Sequence, residues 1–121
     1  MARVLIVDDS PTETYKISQM LSKHGYEVLT AESGEQGIEL ARSEKPDVVL
    51  MDIVMPGMNG FQATRQLTND AATSAIPVII VTTKDQETDR LWGKRQGAKG
   101  YLTKPVDDNT LVNTIKSVMT V

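Results

Sequence analysis

The sequence predicts an α/β fold in which five strands and five helices alternate to make a doubly wound, five-stranded parallel sheet. Three observations predict it. Apolar runs of strand length alternate with segments of helical spacing along all 121 residues. The runs at 4–7, 48–51 and 78–81 show no polar alternation, so both of their faces are buried, as in a parallel sheet covered by helices on either side. Each of these runs also stops at a polar residue: Asp8, Asp52 and Thr82.

The elements follow in order. Residues 4–7 are apolar and mostly β-branched, and Asp8 ends the strand. Ser10, Pro11 and Glu13 mark a helix start. Ser10 caps, Pro11 suits the first helical position, and Glu13 completes a capping box. Ile17, Met20, Leu21 and His24 continue at helical spacing, and Gly25 ends the helix. Residues 26–30 read as the second strand. Ser33 opens the second helix, Ile38 and Ala41 face inward, and Pro46 closes it. Residues 48–51 form a third strand ending at Asp52. Pro56-Gly57 and Asn59-Gly60 are turn signals before a third helix over 61–69. The fourth strand covers 78–81 and ends at Thr82, with the fourth helix near 87–96. Residues 101–103 make a short fifth strand ending at Lys104-Pro105. Leu111, Val112, Ile115, Val118 and Met119 give the last helix the clearest apolar stripe in the chain. No low-complexity linker or repeat interrupts the pattern, so residues 1–121 read as one domain.

Composition narrows the function. There are no cysteines, which excludes disulfides, thiolate metal sites and cysteine nucleophiles and fits a reducing compartment. No apolar run is long enough for a signal-peptide core or a membrane span, so the reading is a soluble, cytoplasmic protein. The net charge of −3 and pI near 5.1 speak against a general nucleic-acid binder. Charge is uneven: the first sixty residues carry −5 and the rest +2. Ordinary surface variation explains that as well as an acidic site built early and a basic face built late.

In an open parallel α/β sheet, ligands bind beyond the carboxyl ends of the strands. That edge collects Asp8, Asp9, Asp52, Thr82 and Lys104. Singly, each has a plain structural reading as a cap, a turn residue or a solvated charge. Jointly they do not, because every central strand would have to end in a reactive group by chance. Three carboxylates with ordinary pKa values near ~3.9 repel one another when ionised. A hard divalent cation relieves this, and magnesium accepts one or two carboxylates together with waters and a phosphate oxygen. One aspartate would then carry or attack a phosphoryl group. The cation and Lys104 would neutralise its oxygens, and Thr82 would donate a hydrogen bond.

The set Asp8-Asp9, Asp52, Thr82 and Lys104-Pro105 resembles the receiver domain of two-component response regulators over essentially the whole chain. The segment Met51-Asp52-Ile53-Val54-Met55-Pro56-Gly57-Met58-Asn59-Gly60 is very like that family's phosphoacceptor strand and loop. Tyr101 matches its aromatic switch position. The resemblance implies a flavodoxin-like (βα)5 fold with strand order 2-1-3-4-5. It implies Asp52 as phosphoacceptor. Asp9, Asp52 and the Val54 main-chain carbonyl would bind magnesium, or manganese in its place, directly, and Asp8 would bind through a water. It also implies Lys104 on the phosphoryl group, a cis Lys104–Pro105 bond, and Thr82 with Tyr101 as a conformational switch. The phosphodonor would be a histidine kinase or histidine phosphotransfer domain. Output would be protein binding by a monomer, with no nucleic acid or membrane involved. Such a protein acts on no external substrate; it assists its own phosphorylation and dephosphorylation.

Residues 8–13, 82–89 and 92–97 look most like stand-alone receivers of the chemotaxis-like system controlling type IV pilus twitching motility. Val54 and Lys84 occupy positions that vary across receivers and help set phosphoryl lifetime. Thr83 stands where the family often has a smaller residue, which implies a restricted inward swing of Tyr101. Three rivals are weighed. An aspartate-nucleophile phosphohydrolase would carry a second aspartate at Val54. A flavin module would need a hydroxyl- and glycine-rich phosphate loop where Asp8-Asp9 stands. A pseudo-receiver would bind partners without phosphorylation, and a phosphorylation assay decides it. His24 reads as a helix-end residue, and Met51, Met55 and Met58 as packing and loop residues. Trp92 reads as either a partner contact or a half-buried side chain.

Overall fold

The computed structural model describes residues 2–119. The strands are β1 (Arg3–Val7), β2 (Glu27–Ala31), β3 (Val48–Met51), β4 (Val78–Thr82) and β5 (Gly100–Thr103). The helices are α1 (Pro11–Lys23), α2 (Gly34–Glu44), α3 (Gly60–Asn69), α4 (Glu87–Arg95) and α5 (Asp108–Met119). All strand pairs are parallel and the order is β2-β1-β3-β4-β5. Order reverses at β1, between β2 and β3, which is where such sheets open a crevice at their carboxyl edge.

Alternation along the strands builds two cores. Leu5, Val7, Val49, Met51 and Val78 face α2 and α3, where Ile38, Ala41, Ala63 and Leu67 meet them. Val4, Ile6, Val48, Leu50, Ile79 and Val81 face α1 and α5, where Ile17, Leu21, Leu111 and Ile115 meet them. Side chains enclosed this fully contribute about 1.5–3 kcal/mol each. The three strands read as buried on both faces are buried on both faces, and β1 and β3 bring their ends to the middle of the sheet.

Helix ends follow local chemistry. The Ser10 hydroxyl accepts the Glu13 N–H at 3.3 Å. The reciprocal half of the expected capping box is absent: the Ser10 N–H donates instead to Asp8 Oδ1 at 2.9 Å, and the Glu13 carboxylate points elsewhere. A reciprocal box forms at α3, where Asn59 and Gln62 exchange side chain-to-backbone bonds of 2.9 Å. Gly25 ends α1 with φ of +86°, and the Tyr26 N–H turns back to the Leu21 carbonyl. Tyr26 therefore belongs to the helix stop, and β2 begins one residue later than the sequence suggests.

Gly60 has a demand stronger than a turn. A Cβ there would lie 1.9 Å from the Asp52 carbonyl oxygen, because the start of α3 crosses directly over the end of β3. Its N–H donates to the Ile53 carbonyl at 2.9 Å. Gly93, which helix propensity alone counts as a weakness in α4, is the buried residue of that helix. A Cβ there would meet Ile80 Cδ1 at 2.7 Å and the Tyr101 ring at 3.3 Å, so the glycine lets α4 sit close to the sheet.

Two outcomes follow. Gly60→Ala forces main chain against main chain and should lower stability in urea by about 1–3 kcal/mol or more; an unchanged midpoint would contradict the close approach. The apolar residues of α4, Leu91 and Trp92, are 51% and 49% exposed, whereas α5 buries Leu111, Val112 and Ile115. Amide hydrogen exchange should therefore be faster in α4 than in α5. Equal protection of the two helices would show that α4 is anchored by something other than side-chain burial.

Candidate functional site

The strand ladder fixes the carboxylates before any side chain acts. The Asp8 N–H donates to the Ala31 carbonyl at 3.1 Å, and the Asp52 N–H to the Val7 carbonyl at 3.0 Å. The end of β5 is held the same way, since the Lys104 N–H donates to the Thr82 carbonyl at 2.7 Å. The Lys104–Pro105 bond is cis. Three strand ends thus present Asp8, Asp52 and Lys104 to one another across the sheet edge.

Lys104 Nζ donates to Asp8 Oδ2 at 2.7 Å and lies 3.6 Å from Asp52 Oδ2. Both side chains of the Lys104–Asp8 pair are almost enclosed, 8% and 3% exposed. Asp52 is equally constrained, its Oδ1 accepting the Ile53 N–H at 2.8 Å. Its Oδ2 faces the ammonium. Burial pushes the Asp52 carboxyl above its ordinary 3.8. Lys104 draws it down, Asp8 pushes it up, and the Ile53 N–H and Thr82 hydroxyl draw it down, with a net rise. Burial opposes the Lys104 charge, but the hydrogen bond to Asp8 and the Asp52 charge outweigh it and raise the lysine's pKa.

Asp8, Asp9 and Asp52 each offer a carboxylate oxygen, and these lie within 4.8 Å of one another. The donor set is all oxygen and carries three negative charges against one enclosed ammonium. That composition fits a hard divalent cation. Thr82 is fully buried at the end of β4, and its hydroxyl accepts the Lys84 N–H at 3.4 Å. Val54 lies in the loop after β3 with an exposed side chain.

Tyr101 stands outside this cluster. Its ring packs beside Gly93 and under the Arg90 guanidinium, 4.9 Å from the centroid. Its hydroxyl donates to the Lys84 carbonyl at 2.8 Å. Burial, then the charge of Asp89, push the phenol up to about 12. His24 caps the end of α1, 3.7 Å from Asp108. Trp92 is half-exposed on α4.

A model of the response regulator receiver domain matches residues 4–116. The chain belongs to the response regulator receiver family. It is 76% identical to Protein PilH of Pseudomonas aeruginosa over 119 residues, 98% of each chain. It is 39% identical to Response regulator PleD of Caulobacter vibrioides across 97% of this chain, which spans about a quarter of that protein's length (26%). Among solved structures, the chemotaxis protein CheY4 of Vibrio cholerae superposes with a TM-score of 0.91 at 35% identity, covering 98% of both chains. The response regulator domain of Thermotoga maritima CheB does so with 0.90 at 29% identity, covering 100% of this chain and 98% of that one. The strand order found here is the one the family resemblance implies.

Sequence reading missed one residue of the receiver pocket. The Glu13 carboxylate lies 3.9 Å from Lys104 Nζ, a third carboxylate around the same ammonium. It was assigned to a capping box that does not form. The available signal was positional: α1 starts directly at the carboxyl edge of the sheet, so its first-turn side chains border the strand-end pocket.

The raised Asp52 pKa predicts how stability depends on pH. Between 3.8 and the higher folded value, the folded state binds more protons than the unfolded state, so stability falls as pH rises. Without divalent cation, Asp52→Asn should therefore melt above wild type at neutral pH, with the advantage shrinking as pH falls toward 3.8. A lower midpoint at neutral pH, or an advantage that grows on acidification, would contradict the assigned direction.

Proposed function

We propose that this receiver is phosphorylated on Asp52 and signals through phosphorylation-dependent protein binding. The observation that carries the proposal is the meeting of the Asp8, Asp9 and Asp52 carboxylates with the enclosed Lys104 ammonium at one sheet edge. Asp52 Oδ2 is the nucleophile, because Oδ1 is committed to the Ile53 N–H. It bonds to phosphorus as the bond to the donor's imidazole nitrogen breaks. The imidazole leaves with the electron pair and takes a proton from water.

Asp9, Asp52 and the Val54 main-chain carbonyl would hold magnesium, with Asp8 acting through a water. Bound there, the cation supplies positive charge to the phosphoryl oxygens. Lys104 moves little to do the same work: it already lies 3.6 Å from the acceptor oxygen. Thr82 donates its hydroxyl to the product, and Thr82 with Tyr101 forms the switch. The donor is a histidine kinase or histidine phosphotransfer domain, and the output partner is a protein. The likeness to Protein PilH across nearly all of both chains supports a role in a chemotaxis-like system controlling type IV pilus twitching motility. In this reading residues 1–121 are one receiver domain, of which Met1, Thr120 and Val121 lie outside the described residues. Among the described residues, no helix is long and apolar enough to cross a membrane; a cytoplasmic location fits that.

Phosphotransfer from a labelled histidine kinase tests the proposal. Wild type should take up label in magnesium and lose uptake in excess chelator. Asp52→Asn should take up none, and Asp9→Ala should need more magnesium. Full labelling of Asp52→Asn, or transfer undiminished by chelator, would sink it; an unlabelled wild type would favour a partner-binding receiver without phosphorylation.

A further inference from the structure

We infer that Glu13 determines which phosphodonors reach Asp52, by holding a negative charge at the mouth of the pocket and sharing the Lys104 ammonium. This rests on the reading of Asp52 as phosphoacceptor. Lys104 Nζ has three carboxylates around it: Asp8 at 2.7 Å, Asp52 at 3.6 Å and Glu13 at 3.9 Å. Asp8 and Lys104 are nearly enclosed, but the Glu13 side chain is 30% exposed. It is thus the carboxylate of the three that faces out. It also borders a groove of about 300 Å³ beside Lys104, whose walls include Lys16, Ile17, Met20, Pro105 and Val106. Outward of Glu13, Lys16 lies 3.6 Å away but is largely exposed, so water screens its charge.

Two consequences act in the same direction. A small anionic donor drawn to Lys104 meets the Glu13 carboxylate 3.9 Å from the ammonium. Glu13 also holds part of the ammonium's attraction, so Lys104 is less free to follow the donor's oxygens. A phosphoryl group carried on a protein is brought in by contacts made elsewhere, so the same repulsion costs it less. Glu13 therefore discriminates most against free donors of high negative charge. The effect belongs to the carboxylate alone, since the helix cap uses the Glu13 main-chain N–H.

Acetyl phosphate and phosphoramidate are suitable probes. In the acetyl phosphate reaction, an Asp52 oxygen bonds to phosphorus while the phosphorus–oxygen bond to acetate breaks. Acetate leaves with the electron pair, and no proton is exchanged. Acetyl phosphate is a dianion at neutral pH, and phosphoramidate is less negative. Rates are read by intact-protein mass spectrometry in magnesium, at low and high salt, with urea midpoints as a check on folding. Glu13→Gln should react about fivefold faster than wild type with acetyl phosphate at low salt. The factor should be smaller for phosphoramidate, and both should shrink toward unity near 1 M salt, where screening acts within about 3 Å. Glu13→Asp, which keeps the charge, should stay near wild type. A purely structural role would change both donors alike, independently of salt. Wild type that labels normally, with Glu13→Gln no faster or faster by one salt-independent factor for both donors, overturns this inference alone. Wild type that never labels overturns the reading of Asp52 and this inference with it.

Discussion

The ammonium of Lys104 is the constraint on which the site depends. Asp8 and Asp52 end neighbouring strands, and without a positive charge between them two largely buried carboxylates would face each other in a poorly solvated crevice. Lys104 relieves this from two strands away, and its position is not left to a flexible side chain. Its main-chain N–H is bonded to Thr82 at 2.7 Å, so the root of the side chain is as fixed as the sheet itself. The pairing is not a strong source of stability, because removing these charges from water offsets much of their attraction. Its value is positional: Asp52 Oδ2 and its counter-charge are held 3.6 Å apart by the sheet. The residual cost survives in the raised pKa of Asp52.

The carbon framework serves the same end. The loop after β3 must bring Asp52 to the edge and then turn into α3 at once, and Gly60 allows that helix to start against the Asp52 carbonyl. The two cores either side of the sheet hold β1, β3 and β4 flat on both faces, so their ends cannot drift relative to each other. Burial is concentrated beneath the site. It is sparse in α4, whose large apolar residues are half in water.

Most of this was legible because each strand and its terminal residue come from the same few letters. Runs such as Val48-Val49-Leu50-Met51 admit one reading when a helix follows and both faces are apolar, and Asp52 falls at the strand end by simple counting. What escaped depends on contacts between elements. Nothing in Ser10-Pro11-Thr12-Glu13 says that Asp8 will take the Ser10 N–H and leave Glu13 free to face Lys104, ninety-one positions on. Helix propensity falls short at Gly93 for a similar reason: it counts the entropy of a helical glycine, but not the Ile80 side chain and Tyr101 ring that occupy the space of its missing Cβ. The turn signal at Asn59-Gly60 was right in place and incomplete in cause.

The same contacts connect the site to α4. The Thr82 hydroxyl accepts the Lys84 N–H, and the Lys84 carbonyl accepts the Tyr101 hydroxyl. The Tyr101 ring lies under Arg90, which reaches from α4 to the Thr103 hydroxyl on β5 at 2.8 Å. The Thr82 hydroxyl, which also faces Asp52, meets the Lys84 N–H at 3.4 Å, a longer hydrogen bond than the 2.8 Å bonds from Tyr101 to Lys84 and from Arg90 to Thr103. Leu91 and Trp92 are half-exposed, so a change of one or two hydrogen bonds, each worth about 0.5–1.5 kcal/mol, weighs more in α4 than in α5 with its buried Leu111, Val112 and Ile115. Under the proposed phosphorylation of Asp52, a local event at the sheet edge would thus alter an exposed face without disturbing the core between them.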